Sequence, residues 1–536
     1  MTEHILLWAA LLLVITFTTY MAQRTGLPTP VALVVTGLAL SWIPCIPNVR
    51  FDPDVVLNAV LPLLVYTGAV VVPWHDLRRN LRPVGVLSIG LVIFTTFGVT
   101  LLARLLFPDM PWAAALLLGA VISPPDEVAA SMVMKRIPIP QRVITILEGE
   151  GLINDVTALT IFRFALVGVA GGTVSAVNIS LGFSATLVGG ALYGWLVGWL
   201  ALKLRQLFQD THLEITVSLI TPFAAYLLPE HLGVTGVLST VVAGVYVSAK
   251  SPRMISADTR LKAHQLWLIV SFWLNSVLFL ALGLQFKQVA ATVAGISLST
   301  LIVLGAVFSV TVIVLRFVWV FPAAYLPRMI SKTLRHADPV PPLRHLFLLS
   351  YTGMRGAISM AAVLSIPSLL PDNTSFAYRD IIVFITFSVI LVTLVGQGLL
   401  LPLVVRLLGI EHEAVAQQKA DRLAELQTKI AAAEAGIRAL NALENTGQAP
   451  VEVSKVQRLE REKYVEELKQ HVDAHANENV CPNIVASIRV RKLEIEAERV
   501  ELVRLLREDR ITERALIAVE HDLDLREAQI LTSSPP

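Results

Sequence analysis

Three short motifs place ionisable side chains inside long apolar runs: Ser123-Pro124-Pro125-Asp126-Glu127-Val128-Ala129-Ala130, Glu148-Gly149-Glu150-Gly151-Leu152-Ile153-Asn154-Asp155 and Tyr351-Thr352-Gly353-Met354-Arg355-Gly356. A charge at the centre of a bilayer costs about 2.5–3.5 kcal/mol even on a lenient insertion scale, so such residues mark function by default. Consecutive prolines withhold two backbone donors and crowd the preceding turn, which breaks a helix near Pro124-Pro125. In lipid a break survives only where it lines an enclosed or watery cavity, and the carbonyls it frees beside Asp126 are suitable oxygen ligands for a monovalent cation. The backbone carbonyl of Pro125 is the nearest of these. The glycines around Arg355 predict a second interruption.

The elements that must position these motifs are membrane helices. The chain has 536 residues, 55% hydrophobic and only 16% charged, with a mean hydropathy of +0.67. That is too apolar for a water-soluble enzyme of this length. The net charge of +2 excludes a global basic field for nucleic acid. Thirteen runs are long enough to cross about 30 Å of hydrocarbon: 4–22, 28–45, 56–73, 83–106, 111–134, 142–170, 180–204, 212–229, 233–249, 265–285, 294–322, 345–370 and 380–408. The expected fold class is an all-α polytopic membrane protein, with an uncleaved first helix. Seventeen Lys and Arg residues, from Arg24 to Arg344, fall in the loops of one side, against Arg50, Arg104, Lys287 and Arg379 on the other. The positive-inside rule then predicts an outer N-terminus and a cytoplasmic C-terminus.

The two expected breaks lie in the fifth and twelfth spans, seven apart. An odd offset sets corresponding helices in opposite directions, the arithmetic of an inverted repeat. Asp155 falls about 20 Å into the sixth span, too deep to reach the interface. Three acids at mid-depth need compensation, and Arg355 is the basic side chain expected to supply it, by pairing with Glu150 as a clamp between the two halves. Arg163, two turns beyond Asp155, is expected to reach the outer interface or a carbonyl.

These motifs resemble the sodium/proton exchangers of the monovalent cation/proton antiporter family, in the branch with an Asn-Asp pair and of bacterial type. The resemblance runs through residues 4–409, and the Asn154-Asp155 context is its most specific part. It implies a dimeric, elevator-type exchanger with crossed broken helices. It implies further that Asp155 binds cation or proton, that Asp126 and Asn154 organise the site, and that Glu150 pairs with Arg355. Three departures stand out. Pro125-Asp126-Glu127 replaces the usual Thr-Asp-Pro, Gly151 stands where a serine hydroxyl commonly helps to hold the ion, and Tyr66-Thr67-Gly68 occupies a stretch where relatives can carry a glutamate. Two ordinary oxygen ligands are therefore missing. Glu127, Glu148, Thr67 and Arg163 are candidate accessory groups, Glu127 either as a compensating acid or as a cation attractor in the cytoplasmic funnel.

The mechanism expected from these residues needs no cofactor. One carboxylate, Asp155, holds either a proton or a partly dehydrated cation, and competition between them couples the two fluxes. Because Asn154, not a second aspartate, precedes it, one proton moves per cation and the exchange is electroneutral. Sodium is the first choice of ion and potassium the alternative. A cation channel would need an open pathway, usually built by several subunits, and a membrane enzyme would need a motif such as His-Glu-x-x-His or Gly-x-Ser-x-Gly, which the spans lack.

From residue 411 to 536 the composition turns to Glu, Lys, Arg, Ala and Leu, a separate helical cytoplasmic tail. Leu423, Leu426, Ile430, Ala433, Ile437 and Leu440 follow the spacing of a coiled-coil or hairpin seam, and 485–510 reads as a charged amphipathic helix. The tail is expected to assist dimerisation or regulation. Cys45 and Cys481 are too dissimilar in setting to indicate a disulfide or metal framework.

Overall fold

The computed structural model describes residues 2–43, 53–134, 137–171, 176–208, 210–293, 295–338, 340–369, 375–446, 450–476, 482–508 and 510–533. Cys45, Arg50, Lys135, Arg136 and Cys481 lie outside them. Among the described residues, thirteen helical stretches occupy the thirteen predicted runs. They are α1 (Thr2–Thr25), α2 (Thr29–Leu40), α3 (53–71), α4 (Leu81–Leu106), α5 (Trp112–Met134), α6 (Gln141–Val169), α7 (Ala176–Phe208), α8 (Thr211–His231), α9 (Gly236–Met254), α10 (Ala257–Leu284), α11 (Leu298–Ile330), α12 (343–364) and α13 (Arg379–Leu408). Eight of these, α4 to α8, α10, α11 and α13, are long and apolar enough to cross a membrane. Helix is the form expected here, because it satisfies every interior backbone group without water.

Local chemistry sets several ends. Asp210, Ser256 and Ser297 cap α8, α10 and α11 by accepting first-turn backbone N–H groups, a bond worth about 1 kcal/mol. Gly409 closes α13 in a left-handed conformation, φ 64°, where a side chain would be strained.

The two largest apolar clusters among the described residues lie in the membrane unit, Met1–Ala414. The larger joins α4, α5, α6, α11, α12 and α13 around Leu118, Phe308, Val312, Leu348, Ile385 and Phe387. The smaller joins α3, α8 and α9 to α6 through Leu61, Val65, Tyr226, Val237, Leu152 and Val156. Helix α7 lies against α9 along Gly190, Gly194 and Gly198, where a Cβ on Gly194 would lie 2.2 Å from the Ser239 carbonyl. Small residues four apart allow such close backbone approach in membrane helices. The outward faces of α7 and α11 remain apolar, with Leu192 and Ile302 each 62% exposed.

Helices α6 and α11 are also tied outside the apolar zone. Asp338 accepts from Arg142, at the start of α6, and from Arg328, near the end of α11, each at 2.6 Å. Burial would raise the Asp338 carboxyl, but the bonds from the two guanidinium groups outweigh it and hold it below the usual carboxylate range. The pair is therefore intact at neutral pH and weakens only as acid titrates that lowered carboxylate.

The second unit, Val415–Pro536, contains most of α14 (Ile410–Asn445), together with α15 (Val451–Ala476), α16 (Pro482–Arg507) and α17 (Glu513–Ser533). The pairs Glu444–Arg458 and Glu434–Lys469 run in opposite senses along α14 and α15, so these form an antiparallel hairpin. Leu426 and Ala433 of the predicted seam are buried. Arg499 of α16 bonds Asp524 and Glu527 of α17 in a second hairpin, over Ile495 and Leu523.

Candidate ion site at the crossed helix breaks

The fifth helix breaks where its prolines require. Its halves, Trp112–Ile122 and Glu127–Met134, are joined by four non-α-helical residues, 123–126. The twelfth breaks likewise, between Leu343–Tyr351 and Ala357–Leu364. The two breaks touch. The Asp126 backbone N–H donates to the Met354 carbonyl at 2.7 Å, and the Arg355 guanidinium donates to the Ser123 carbonyl. Each charge sits at the helix end that favours it, Asp126 at the start of the second half-helix and Arg355 beyond the end of the first. Asp126 Oδ1 accepts from the N–H groups of Val128 and Ala129, at 2.9 and 3.1 Å, which makes it an N-cap.

Other groups freed by the second break find partners on α13 and α11. A π-helical segment at Val392–Gln397 presents Thr393, whose hydroxyl accepts from the Arg355 N–H at 3.1 Å, and Gln397, whose amide donates to the Tyr351 carbonyl at 2.9 Å. Wide turns of this kind recur where a helix serves a site. Arg316 Nε donates to the Leu349 carbonyl at 3.1 Å.

Helix α6 passes this crossing with Asp155 at its centre, fourteen residues from each end, or about 21 Å. Pro125, Asp126, Glu127, Gly151, Asp155 and Gly356 line one cavity, together with Asn275, Ser359 and an apolar wall that includes Leu64, Val65, Phe279 and Ile358. Behind it, Asn154 Nδ2 donates to the Pro125 carbonyl at 2.8 Å. That bond occupies one of the carbonyl's two lone pairs. Asn154 Oδ1 is buried without a hydrogen-bond partner.

The remaining predicted residues divide. The expected Glu150–Arg355 pair is corrected: Glu150 is bound in a two-pronged pair by Arg316 of α11, Nη1–Oε1 2.6 Å and Nη2–Oε2 2.8 Å, with both side chains almost fully buried. Arg316 stands at mid-length in α11, an unbroken helix. The counter-charge to Glu150 was expected on a broken helix and lies on a continuous one. A lone arginine in Val310–Val320 was the available signal. Arg163 bonds Glu230, at the end of α8, and not a carbonyl or a free interface. Thr67 spends its hydroxyl on the Leu63 carbonyl of its own helix, and neither it nor Glu148 lines the cavity. Asn275 of α10 was not foreseen.

Gly356 explains the tightness of the crossing. Its backbone is extended, φ −139°, so its need is space alone: a Cβ there would lie 1.4 Å from Asp126 Oδ2. Gly356→Ala is expected to displace that carboxylate and reduce transport by about 100-fold, the scale of an ångström's misplacement at a reacting centre. Cation-driven pH changes in proteoliposomes at matched protein content would check this.

Two broken helices crossing inside a bundle of apolar helices, with acids in a cavity at their junction, are the architecture found in many secondary transporters. The comparisons with known proteins give the family. Residues 10–407 match the model for the transmembrane sodium/hydrogen exchanger. A protein of Mycobacterium bovis named an uncharacterised Na(+)/H(+) exchanger is 32% identical, over 97% of this chain and 95% of its own. A sodium, potassium, lithium and rubidium/H(+) antiporter of Bacillus subtilis is 32% identical, over 70% of this chain and 58% of its own. The solved structure of the sodium proton antiporter MjNhaP1 from Methanocaldococcus jannaschii superposes with a TM-score of 0.55 at 18% identity, over 76% of this chain and all of that one. The chain belongs to the sodium/hydrogen exchanger family. It is a multi-pass membrane protein and a cation/proton antiporter, not an enzyme.

Proposed function

We propose that the protein exchanges one monovalent cation, Na+ in the first place, for one H+, with Asp155 as the carboxylate for which they compete. The observation that carries this reading is the sharing of one cavity by Asp155 and Asp126 at the contact of the two helix breaks. Asp126 and the second lone pair of the Pro125 carbonyl are further ligands, and Asn154 holds that carbonyl in place. Glu150 is paired with Arg316 and is not among the cation's ligands. Crossing empty and charged is costly, so the carboxylate moves only when loaded, and alternation between the two sides gives exchange.

On this reading the spans form two inverted halves. The α4–α6 and α11–α13 group moves as an elevator against the rest, in a homodimer whose N-terminus lies outside and whose tail is cytoplasmic. The tail hairpins support the dimer or its regulation. Potassium is the second reading, favoured by the missing Thr and Ser oxygens at positions 125 and 151 and by the broad cation range in the names of the Bacillus relatives.

The test is dissipation of an imposed pH gradient in proteoliposomes on adding Na+, K+ or Li+. A response to none of them would end the proposal. Electroneutrality gives a separate expectation: at fixed pH gradient, clamping the membrane potential at different values should leave the rate unchanged. A rate that follows the potential would show that charge moves.

A further inference from the structure

We propose that Glu127 is itself a ligand to the transported cation, that its carboxylate takes the place a hydroxyl side chain at position 151 would fill, and that Gly151 is glycine for this reason. The inference rests on the exchange reading above and adds a residue that sets ion preference. In sequence the two departures from the family pattern look independent. In space they are one. A Cβ on Gly151 would lie 1.6 Å from Glu127 Oε2, 2.3 Å from its Cδ and 2.4 Å from its Cβ. Real Cβ atoms do not approach other heavy atoms so closely, so no side chain fits at 151 while Glu127 holds this position. The other carboxylate oxygen faces Gly68 of α3, whose Cβ would stand 3.2 Å from Oε1. Glu127 is thus seated between α3 and α6, in a slot formed by two glycines.

The seat is polar in need and not in supply. Glu127 Oε2 is buried and has no hydrogen-bond partner, while an unpaired buried carboxylate oxygen is costly. Glu127 nonetheless lines the same cavity as Asp155 and Asp126. A dehydrated alkali cation in that cavity is a partner that satisfies the orphaned oxygen. A carboxylate has a stronger field than the hydroxyl it replaces, and strong-field oxygens hold small cations more tightly than large ones. The substitution therefore biases the site toward Li+ and Na+ over K+.

The experiment uses the full chain in proteoliposomes, with KM and maximal rate measured for Li+, Na+ and K+. Wild type is compared with Glu127→Gln, Glu127→Ala, Gly151→Ser and the double variant Glu127→Ala/Gly151→Ser. The expected result is a rise of about tenfold or more in KM for Li+ and Na+ in both Glu127 variants, in the range for weakened metal sites, with a smaller rise for K+. Gly151→Ser alone should lose exchange, and the double variant should regain it. Three results would overturn the inference: equal KM rises for all three cations, which would make Glu127 an attractor at the entrance; unchanged KM values; or Gly151→Ser as active as wild type. Gel filtration checks folding of each variant. Glu127→Gln, nearly isosteric, carries the ligand test if Glu127→Ala fails to fold. If wild type exchanges no cation, the exchange reading fails. If wild type exchanges and the Glu127 variants match it, only the present inference fails.

Discussion

Asp155→Asn is expected to reduce cation-driven proton flux to background, a loss of at least about 100-fold. An amide of the same shape can neither accept the proton nor neutralise the cation. Forfeiting a charged ligand in a partly dehydrated cavity costs about 3 kcal/mol or more, and each 1.4 kcal/mol is about tenfold. Helix α6 has no ready substitute, because Glu150 is committed to Arg316 and Glu148 does not line the cavity. Asp126→Asn makes a sharper companion. Asparagine caps helices about as well as aspartate, so the half-helix from Glu127 should persist while the cavity loses a charge. Wild-type exchange in Asp155→Asn, measured by pH-gradient dissipation, would remove that residue from the mechanism.

The second large effect is on stability. Arg316→Ala leaves the Glu150 carboxylate buried without its partner and also strips the Leu349 carbonyl of its donor. Breaking a buried pair from one side costs about 3–5 kcal/mol, whereas replacing both members with apolar residues of similar size is often near neutral. The expected order of thermal stability in detergent is therefore wild type first, Glu150→Leu/Arg316→Met somewhat below it because the Leu349 carbonyl still loses its donor, and Arg316→Ala far below both. Arg355→Ala keeps the Glu150 pair and should fall less far. Thermal unfolding of the purified variants, followed by tryptophan fluorescence, would decide it. A larger loss in Arg355→Ala than in Arg316→Ala would contradict the pairing described here.

What was legible in the sequence is what local chemistry dictates. Pro124-Pro125 cannot sit in an unbroken helix, so the first break was readable, as was the second at Gly353–Gly356. Hydropathy marked the helical runs, since an apolar stretch of that length has few alternatives. Partner choice was not legible, because it depends on which helix faces which. Nothing local to Arg316 says that it lies opposite Glu150, and nothing local to Arg163 says that it lies near Glu230. The relation between Gly151 and Glu127 was hidden for the same reason: a missing side chain and an extra one, 24 positions apart, reveal their complementarity only when the two helices are packed.

The two-pronged union of Glu150 with Arg316 also bears on voltage. Carrying a lone unit charge through the membrane field changes energy by about 2.3 kcal/mol per 100 mV. A carboxylate and a guanidinium locked together form a dipole of zero net charge, so a piston that carries α6 and α11 as one body displaces no gating current on their account. What the field can grip is then the cargo, the acids that hold it and the Arg355 guanidinium, which is bound to a carbonyl and not to an acid.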